Sequence, residues 1–161
     1  MFKKLISWLN GFGDKAEPIS LTYLTALNEI GVKELPGRLN SPRILEYLQS
    51  CEYYELSDEV PWCSAFVNWC FKQHSVPRTN STLARSWEKW GKKAKSPKRG
   101  DIVIFKSNKN KWAGHVGFFV KEDHDRIWLL GGNQRDEVCI LPYLKKGSML
   151  ELSDIRTYME V

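Results

Sequence analysis

The sequence predicts an α+β domain. Stretches with apolar residues at helical spacing fill the first half of the chain, and short β-branched and aromatic runs fill the second half. The intervals between the later runs are short, which favours hairpins and an antiparallel sheet. Because helices come first and strands follow, we expect two layers, with the helices packed on the sheet.

The length suits a single domain. The 161 residues are 42% hydrophobic and include 7 Trp and 7 Phe, enough to bury one core. We expect a leader or flexible segment over residues 1–19 and one domain over residues 20–161. The apolar run of the leader ends at Asn10, which is too short for a secretory signal or for the ~20 residues of a membrane-spanning helix. We therefore expect a chain made in the cytoplasm without a signal peptide and without stable insertion in a membrane.

Four helices are predicted in the first half. The first covers residues 21–30 and stops at Gly31, a natural C-cap, and the second covers residues 42–49. The third has Pro61 at its first position and an apolar stripe that contains Cys63 and Cys70. A fourth is expected from a cap at residue 80 or 81 to residue 91, with its apolar residues facing inward: Leu83, Ala84, Trp87 and Trp90.

Five strands are predicted in the second half. The run over residues 102–105 is apolar throughout, which indicates a central strand that is buried on both faces. The other strands are expected over residues 115–120, 127–130, 138–141 and 155–159, separated by turn-rich segments.

Cys63 is the strongest candidate nucleophile. It falls in the first turn of the third helix, where unpaired backbone N–H groups and the helix dipole favour a thiolate. The same N–H groups suit an oxyanion hole, with the N–H of Cys63 as one donor. The alternative is an inert core cysteine, and Cys70, two turns into the same stripe, is assigned to that role.

His115 is the candidate general base. It opens a strand between Gly114 and Gly117, where the backbone is uncluttered, and a strand start can meet a helix start at one edge of a sheet. The alternative is a histidine that is satisfied within the core. We expect the other two histidines, His74 and His124, on the surface.

A third group should orient the imidazole. Residues 129–134 end a predicted strand, and the amide oxygen of Asn133 can accept a hydrogen bond from the ring. A Gly-Gly-Asn segment is also typical of a turn. We place Asn133 ahead of Gln134, with Asp136 behind them.

Charge and cysteine content exclude few classes of function. The net charge is +5 and the pI about 9.0, which attracts polyanions, but no nucleic-acid-binding motif accompanies the basic loops. The four cysteines show neither a disulfide framework nor a CxxC pair. A zinc-binding structural protein remains an alternative, with four candidate ligands: Cys63, Cys70, His74 and His115. The spacing of these residues fits no common zinc module.

Six ordered motifs together resemble the CHAP and NlpC/P60 peptidoglycan hydrolases, small papain-like amidases of bacteria and phages. The resemblance covers roughly residues 20–145. The motifs are the stretches 61–70, 84–87, 90–91, 100–105, 114–118 and 130–134.

The resemblance implies a papain-like two-layer fold and hydrolysis of an amide or peptide bond in peptidoglycan, without cofactor or metal. It assigns the nucleophile to Cys63, the base to His115 and the third polar group to Asn133. Many CHAP relatives carry a carboxylate two positions before that asparagine, where this chain has Gly131. Trp62, Trp112 and Gln134 would contact the substrate, although Trp62 is equally suited to packing.

The expected partners follow from this function. We expect a monomer that acts on the cell wall, in the periplasm or outside the cell, after release by a holin or delivery by a secretion machine. A toxin of this kind would have an immunity protein. The alternative is a catalytically inactive module on the same fold that binds cell wall or nucleic acid.

Overall fold

The computed structural model describes residues 19–37, 39–54 and 57–158. All of the predicted leader except Ile19 lies outside these residues. The α+β class predicted from the sequence is confirmed, with helices preceding an antiparallel sheet. The helices are α1 (Leu21–Asn28), α2 (Pro42–Gln49), α3 (Cys63–Lys72) and a 3-10 helix (Ala84–Lys89). The strands are β1 (Lys92–Lys93), β2 (Ile102–Ser107), β3 (Gly114–Glu122), β4 (Arg126–Gly131), β5 (Cys139–Leu144) and β6 (Leu150–Thr157).

The first two helices begin where their local sequence predicts, and α2 also ends there, whereas α1 ends at Asn28 and not at residue 30 as predicted. The Ser20 hydroxyl caps α1 by accepting from the N–H of Tyr23 at 3.3 Å, and the chain leaves the helix through Gly31 in a left-handed conformation. Helix α2 has the predicted bounds, with Pro42 in its first turn. Both helices pack against α3.

Helix α3 is the central helix of the fold. Eight of its ten residues are buried, so it is covered on nearly every side. Its first hydrogen bond runs from the N–H of Phe66 to the carbonyl of Trp62, at 2.9 Å. Trp62 is therefore the N-cap, and Pro61 precedes the helix instead of opening it as predicted. Cys63 becomes the first helical residue.

The fourth predicted helix is shorter and of a different type. Asn80 has a positive φ of 55°, and its N–H is held by the Asn68 side chain at 2.8 Å, so no helix can start there. Within the predicted range, only Ala84–Lys89 is helical, and it forms a 3-10 helix. Trp87 is buried as predicted, whereas Leu83 is 56% exposed and the prediction that it faces inward is wrong.

The six strands form one antiparallel sheet in the order β1-β6-β2-β3-β4-β5. The prediction of a central strand buried on both faces is confirmed, because residues 102–105 are fully buried and β2 lies between β6 and β3. Strand β1 was not predicted, since its two residues are exposed lysines without an apolar pattern. Strand β6 starts five residues earlier than expected, at Leu150.

The sheet separates two hydrophobic clusters. The larger cluster joins the helices to one face of the sheet. The N–H of Leu152 donates to the carbonyl of Lys145 at 2.9 Å, so the chain just after β5 meets β6 and the sheet curls round the smaller cluster. The smaller cluster consists of Val103, Phe105, Phe119, Ile127 and Leu129.

Candidate active site

Cys63 occupies the start of α3 and is only 5% exposed. Three backbone N–H groups face its thiol, those of Val116, Ser64 and Cys63 itself, and they lower its pKa. Burial acts more strongly in the opposite direction, so the pKa of Cys63 is raised above its ordinary value. In the free protein, desolvation therefore outweighs the effect of the helix end, which alone would favour the thiolate.

The beginning of α3 offers hydrogen-bond donors without helical partners. Because Phe66 is the first residue whose N–H bonds within the helix, the N–H groups of Cys63 and Ser64 remain free of the helical ladder. They lie at the positive end of the helix dipole. This arrangement can stabilise an oxygen that becomes negative beside Cys63.

His115 lies near the start of β3, opposite Phe105 of β2, and is 8% exposed. The residue that follows it, Val116, directs its N–H at the Cys63 thiol, so the two predicted catalytic residues are brought together. No direct hydrogen bond joins Cys63 to His115 within the part of the chain that the structure describes. Burial lowers the pKa of His115, and the hydrogen bond with Gln134 partly offsets this.

Gln134 lies beside the imidazole. Its Oε1 atom is 3.1 Å from Nε2 of His115, and the side chain is 98% removed from solvent, at 2% exposure. The Gln134 Nε2 group donates to the carbonyls of Cys139, at 2.6 Å, and Leu129, at 3.4 Å. These two bonds fix the orientation of the amide, so its oxygen faces the ring and accepts from Nε2–H of His115. The other ring nitrogen, Nδ1, is then unprotonated and able to accept a proton.

The structure has Gln134, and not the predicted Asn133, at the imidazole. Asn133 has a φ of 54° and is half-buried, and no hydrogen bond links it to His115 among the described residues. It serves the turn function that the sequence left open, since asparagine tolerates the left-handed region well. The chain turns at Asn133, so the side chain of the next residue, Gln134, lies against the sheet and donates to carbonyls of β4 and β5. Asp136, the third choice, is exposed.

Gly131 explains how a glutamine reaches this place. A Cβ atom on residue 131 would lie 3.0 Å from Oε1 of Gln134 and 3.5 Å from Nε2 of His115. A side chain at this position would therefore lie beside the imidazole. In this chain the position is a glycine, and the Gln134 amide occupies the adjoining space.

The two tryptophans predicted to contact substrate lie in different environments. Trp62 is fully buried and donates from Nε1 to Glu34 at 2.8 Å, while a Cβ on Gly132 would overlap its ring. Trp62 is therefore a packing residue, which is the alternative that the sequence left open. Trp112 is 68% exposed, with the ammonium of Lys111 5.0 Å from its ring centroid. Of the pair, only Trp112 presents a ring to solvent.

A polar network anchors the loop after α3, and the sequence did not reveal it. Ser64, next to the nucleophile candidate, donates to the carbonyl of Ser81 at 2.6 Å and accepts from Nε1 of Trp87 at 2.9 Å. Asn68, one turn later, donates to the carbonyls of Ser64 and Ser81 at 3.0 and 3.1 Å. The only indication of this network in the sequence was the presence of two polar residues, Ser64 and Asn68, within an apolar helix.

Tyr143 is the second residue that the sequence missed. Its ring stacks on the His115 imidazole, with centroids 5.2 Å apart and planes at 29°. The fourth predicted strand stopped at residue 141, whereas the corresponding strand β5 continues to Leu144 and carries Tyr143 to the site. No local pattern indicated this contact, because it joins residues 28 positions apart that meet only when the sheet curls.

The residues considered for zinc do not form a metal site. Across residues 19–37, 39–54 and 57–158, no group of three or more His, Cys, Asp or Glu side chains could hold a metal ion. Cys70 is fully buried within α3, and Nε2 of His74 lies 2.8 Å from the Thr25 hydroxyl. His74 is half-buried rather than on the open surface, while His124 is exposed as predicted. Among the helices of the described residues, none has the length and apolar character needed to span a membrane.

Comparison with protein families supports the predicted resemblance. The family model of the CHAP domain matches residues 55–133, a stretch that includes Cys63 and His115 and ends one residue before Gln134. The CHAP domain is generally linked to peptidoglycan hydrolysis. A comparison with curated proteins gives no match. Residues 55–133 thus have the sequence character of a CHAP domain, and the resemblance of this chain to the CHAP and NlpC/P60-like hydrolases is confirmed.

Proposed function

We propose that this protein hydrolyses an amide or peptide bond of peptidoglycan, with Cys63 as nucleophile, His115 as general base and Gln134 as the orienting group. The fold we assign is papain-like, formed by residues 20–161 as a single domain. The proposal depends chiefly on one observation. The buried His115 bonds to Gln134 through Nε2, and the next residue directs its N–H at the Cys63 thiol.

The reaction begins when Nδ1 of His115 takes the thiol proton as Sγ of Cys63 attacks the carbonyl carbon. The oxygen of the tetrahedral intermediate accepts from the N–H groups of Cys63 and Ser64. His115 then gives its proton to the departing amine nitrogen, the C–N bond breaks and a thioester remains. Water, deprotonated by His115, attacks the thioester and releases the acid and the Cys63 thiol.

The pKa directions indicate how the thiol is activated. Burial raises the pKa of Cys63 and lowers that of His115, so both groups are neutral in the free protein near neutral pH. Proton transfer therefore accompanies attack on the bound substrate, and a preformed ion pair is not required. The chemistry uses no metal and no cofactor.

Surface charge supports an anionic polymer as the environment of the substrate. Four lysines line a depression of about 390 Å³ beside β1: Lys92, Lys93, Lys95 and Lys98. With a net charge of +5, this surface favours the anionic cell wall, and added salt weakens the attraction. The exposed Trp112, three residues before His115, is the substrate contact we assign.

The second candidate function is an inactive module that binds cell wall or nucleic acid. The 5% exposure of Cys63 favours it, because a nucleophile must be reached by its substrate. In either role we propose a monomer that works in the periplasm or outside the cell after release or delivery. A holin, a secretion machine and an immunity protein are the partners this implies.

Digestion of purified peptidoglycan tests the two functions. Parent protein and Cys63→Ala are each incubated with the wall polymer, and the soluble products are resolved by mass spectrometry. We expect new fragments from the parent alone, whose masses identify the bond. An intact wall with both folded proteins, together with equal retention of both on the wall, would establish the binding module instead.

A further inference from the structure

Tyr143 forms one wall of the candidate active site. Its ring lies against the His115 imidazole at 5.2 Å and also packs on Phe105, the cross-strand neighbour of His115, at 5.4 Å. The imidazole is thus held at its Nε2 atom by Gln134 and on one face by Tyr143. The first contact comes from the turn after β4 and the second from β5.

The hydroxyl of Tyr143 lacks a protein partner within the described residues. The side chain is half-buried, and burial raises its pKa above the ordinary range, with Cys139 and Cys63 adding to this rise. The stack on His115 keeps this hydroxyl at the candidate active site, and its raised pKa keeps it protonated. The hydroxyl is therefore a hydrogen-bond donor that is not yet used.

We propose that the Tyr143 ring positions the His115 imidazole and that the Tyr143 hydroxyl donates a hydrogen bond to the substrate at Cys63. The proposal depends on the function proposed above only for the identity of the substrate. The ring holds the plane of the imidazole, since one hydrogen bond at Nε2 leaves rotation about that bond unrestrained. The hydroxyl supplements the donors of α3 at the scissile carbonyl.

The stacked ring also excludes water from the imidazole. The His115 ring contacts Gln134 from the turn after β4 and Tyr143 from β5, while Cys63 lies at the backbone of the next residue, Val116, and Cys139 and the cation of Arg135 are close to Tyr143. Among the described residues, none of the groups in contact with the ring is a charged carboxylate. Removing the Tyr143 ring admits water, which favours the imidazolium and moves the pKa of His115 up towards 6.5.

Two substitutions separate the ring from the hydroxyl. Tyr143→Phe keeps the stack and removes the donor, whereas Tyr143→Leu removes both. The pKa of His115 is measured by NMR titration, and the reactivity of Cys63 by the pH dependence of its alkylation with iodoacetamide. Trp128→Leu is the matched control, because it removes an aromatic ring from the neighbouring strand β4 that does not contact His115.

Expected results differ between the variants. Tyr143→Leu raises the pKa of His115 and changes the alkylation profile, while Tyr143→Phe and Trp128→Leu leave both as in the parent. Tyr143→Phe lowers wall hydrolysis roughly tenfold to a hundredfold, as loss of one donor to a developing oxyanion does. If Tyr143→Leu does not fold, Tyr143→Met, which keeps more volume, replaces it.

Several outcomes would overturn the proposal. An unchanged pKa of His115 in folded Tyr143→Leu or Tyr143→Met excludes the positioning role, whatever the melting temperature does. Hydrolysis by Tyr143→Phe at the parent rate excludes the hydroxyl contact. Neither NMR nor alkylation requires hydrolysis, so an inactive parent would remove the proposed function while the positioning role is still decided by these two measurements.

Discussion

Gln134 accepts a hydrogen bond from His115 at 3.1 Å and donates one to the carbonyl of Cys139 at 2.6 Å. The amide thus links the imidazole to the first residue of β5. Because the donor side of the amide is occupied by backbone carbonyls, its oxygen alone can face the ring, and the tautomer of His115 is determined. Gln134 is therefore the residue that orients the imidazole in the proposed mechanism.

Gln134→Ala should lower the rate of hydrolysis by roughly 100-fold, which is the lower end of what a correctly placed general base contributes. The substitution removes the acceptor for Nε2–H, so the ring can rotate and change tautomer. Asn133→Ala should retain activity within about threefold and lose about 1 kcal/mol of stability, because alanine tolerates the positive φ less well. Steady-state hydrolysis and urea unfolding measure the two effects. Asn133→Gly, which accommodates the same φ, is the control, and a large loss of activity in it would return the orienting role to Asn133.

A carboxylate at position 131 should replace the lost amide. Gly131→Asp alone is expected to reduce activity, because its Cβ would lie 3.0 Å from Oε1 of Gln134. In the Gln134→Ala background that space is free, and a carboxylate there can accept from Nε2 of His115. We expect the double variant to hydrolyse the wall at least about tenfold faster than Gln134→Ala, a nonadditive effect of neighbouring residues. The same rate in both would show that position 131 cannot reach the imidazole productively.

Gly132→Ala should destabilise the fold by about 1–3 kcal/mol, as overpacking of a core does. The added Cβ would overlap the fully buried Trp62 ring and lie 2.8 Å from Cβ of Phe66. Neither is the free end of a flexible side chain, so the backbone must move. Thermal unfolding compares this variant with Gly131→Ala, where the nearest atom, Oε1 of Gln134, is farther away, at 3.0 Å. Equal stability losses in both would contradict this packing argument.

Cys63 and Cys70 should respond oppositely to substitution. Cys63→Ala is expected to abolish hydrolysis with little change in stability, and His115→Ala likewise. Cys70→Ser should cost about 1–3 kcal/mol and leave the rate per folded molecule unchanged, since the hydroxyl is placed where burial is complete. Rates normalised to the folded fraction measured by circular dichroism distinguish the two. Loss of activity in Cys70→Ser at parental stability would contradict the assignment.

Stability should fall on acidification partly because of His115. Its pKa is lowered in the folded protein, so below 6.5 the unfolded chain takes up a proton that the folded chain resists. This contribution is present above 6.5 and is lost as the pH falls through the folded value. Urea midpoints between about pH 5 and pH 8 should therefore vary less with pH in His115→Gln than in the parent. His124→Gln removes an exposed histidine and should follow the parent; if His115→Gln does the same, burial of His115 is not what sets its protonation.

Much of the fold was accessible from the sequence because it depends on local patterns. The bounds of α2 were predicted in full, and the buried strand β2 followed from four consecutive apolar residues. Failures occurred where a distant residue overrides the local pattern. Asn68 holds the backbone at Asn80, so the fourth helix does not start there, and the two-residue strand β1 is defined by its pairing with β6.

The sequence alone determined the nucleophile and base candidates, because a cysteine at a helix start and a histidine at a strand start are local features. Tertiary structure decided which residues act on them. Whether residue 133 or 134 meets the imidazole depends on the left-handed turn at Asn133 and on the carbonyls that receive the Gln134 amide. The stacking of Tyr143 requires the curl that brings the end of β5 to β6, and the protonation of Cys63 depends on burial outweighing three N–H groups. These are sums over contacts distant in the chain, and no short window of sequence contains them.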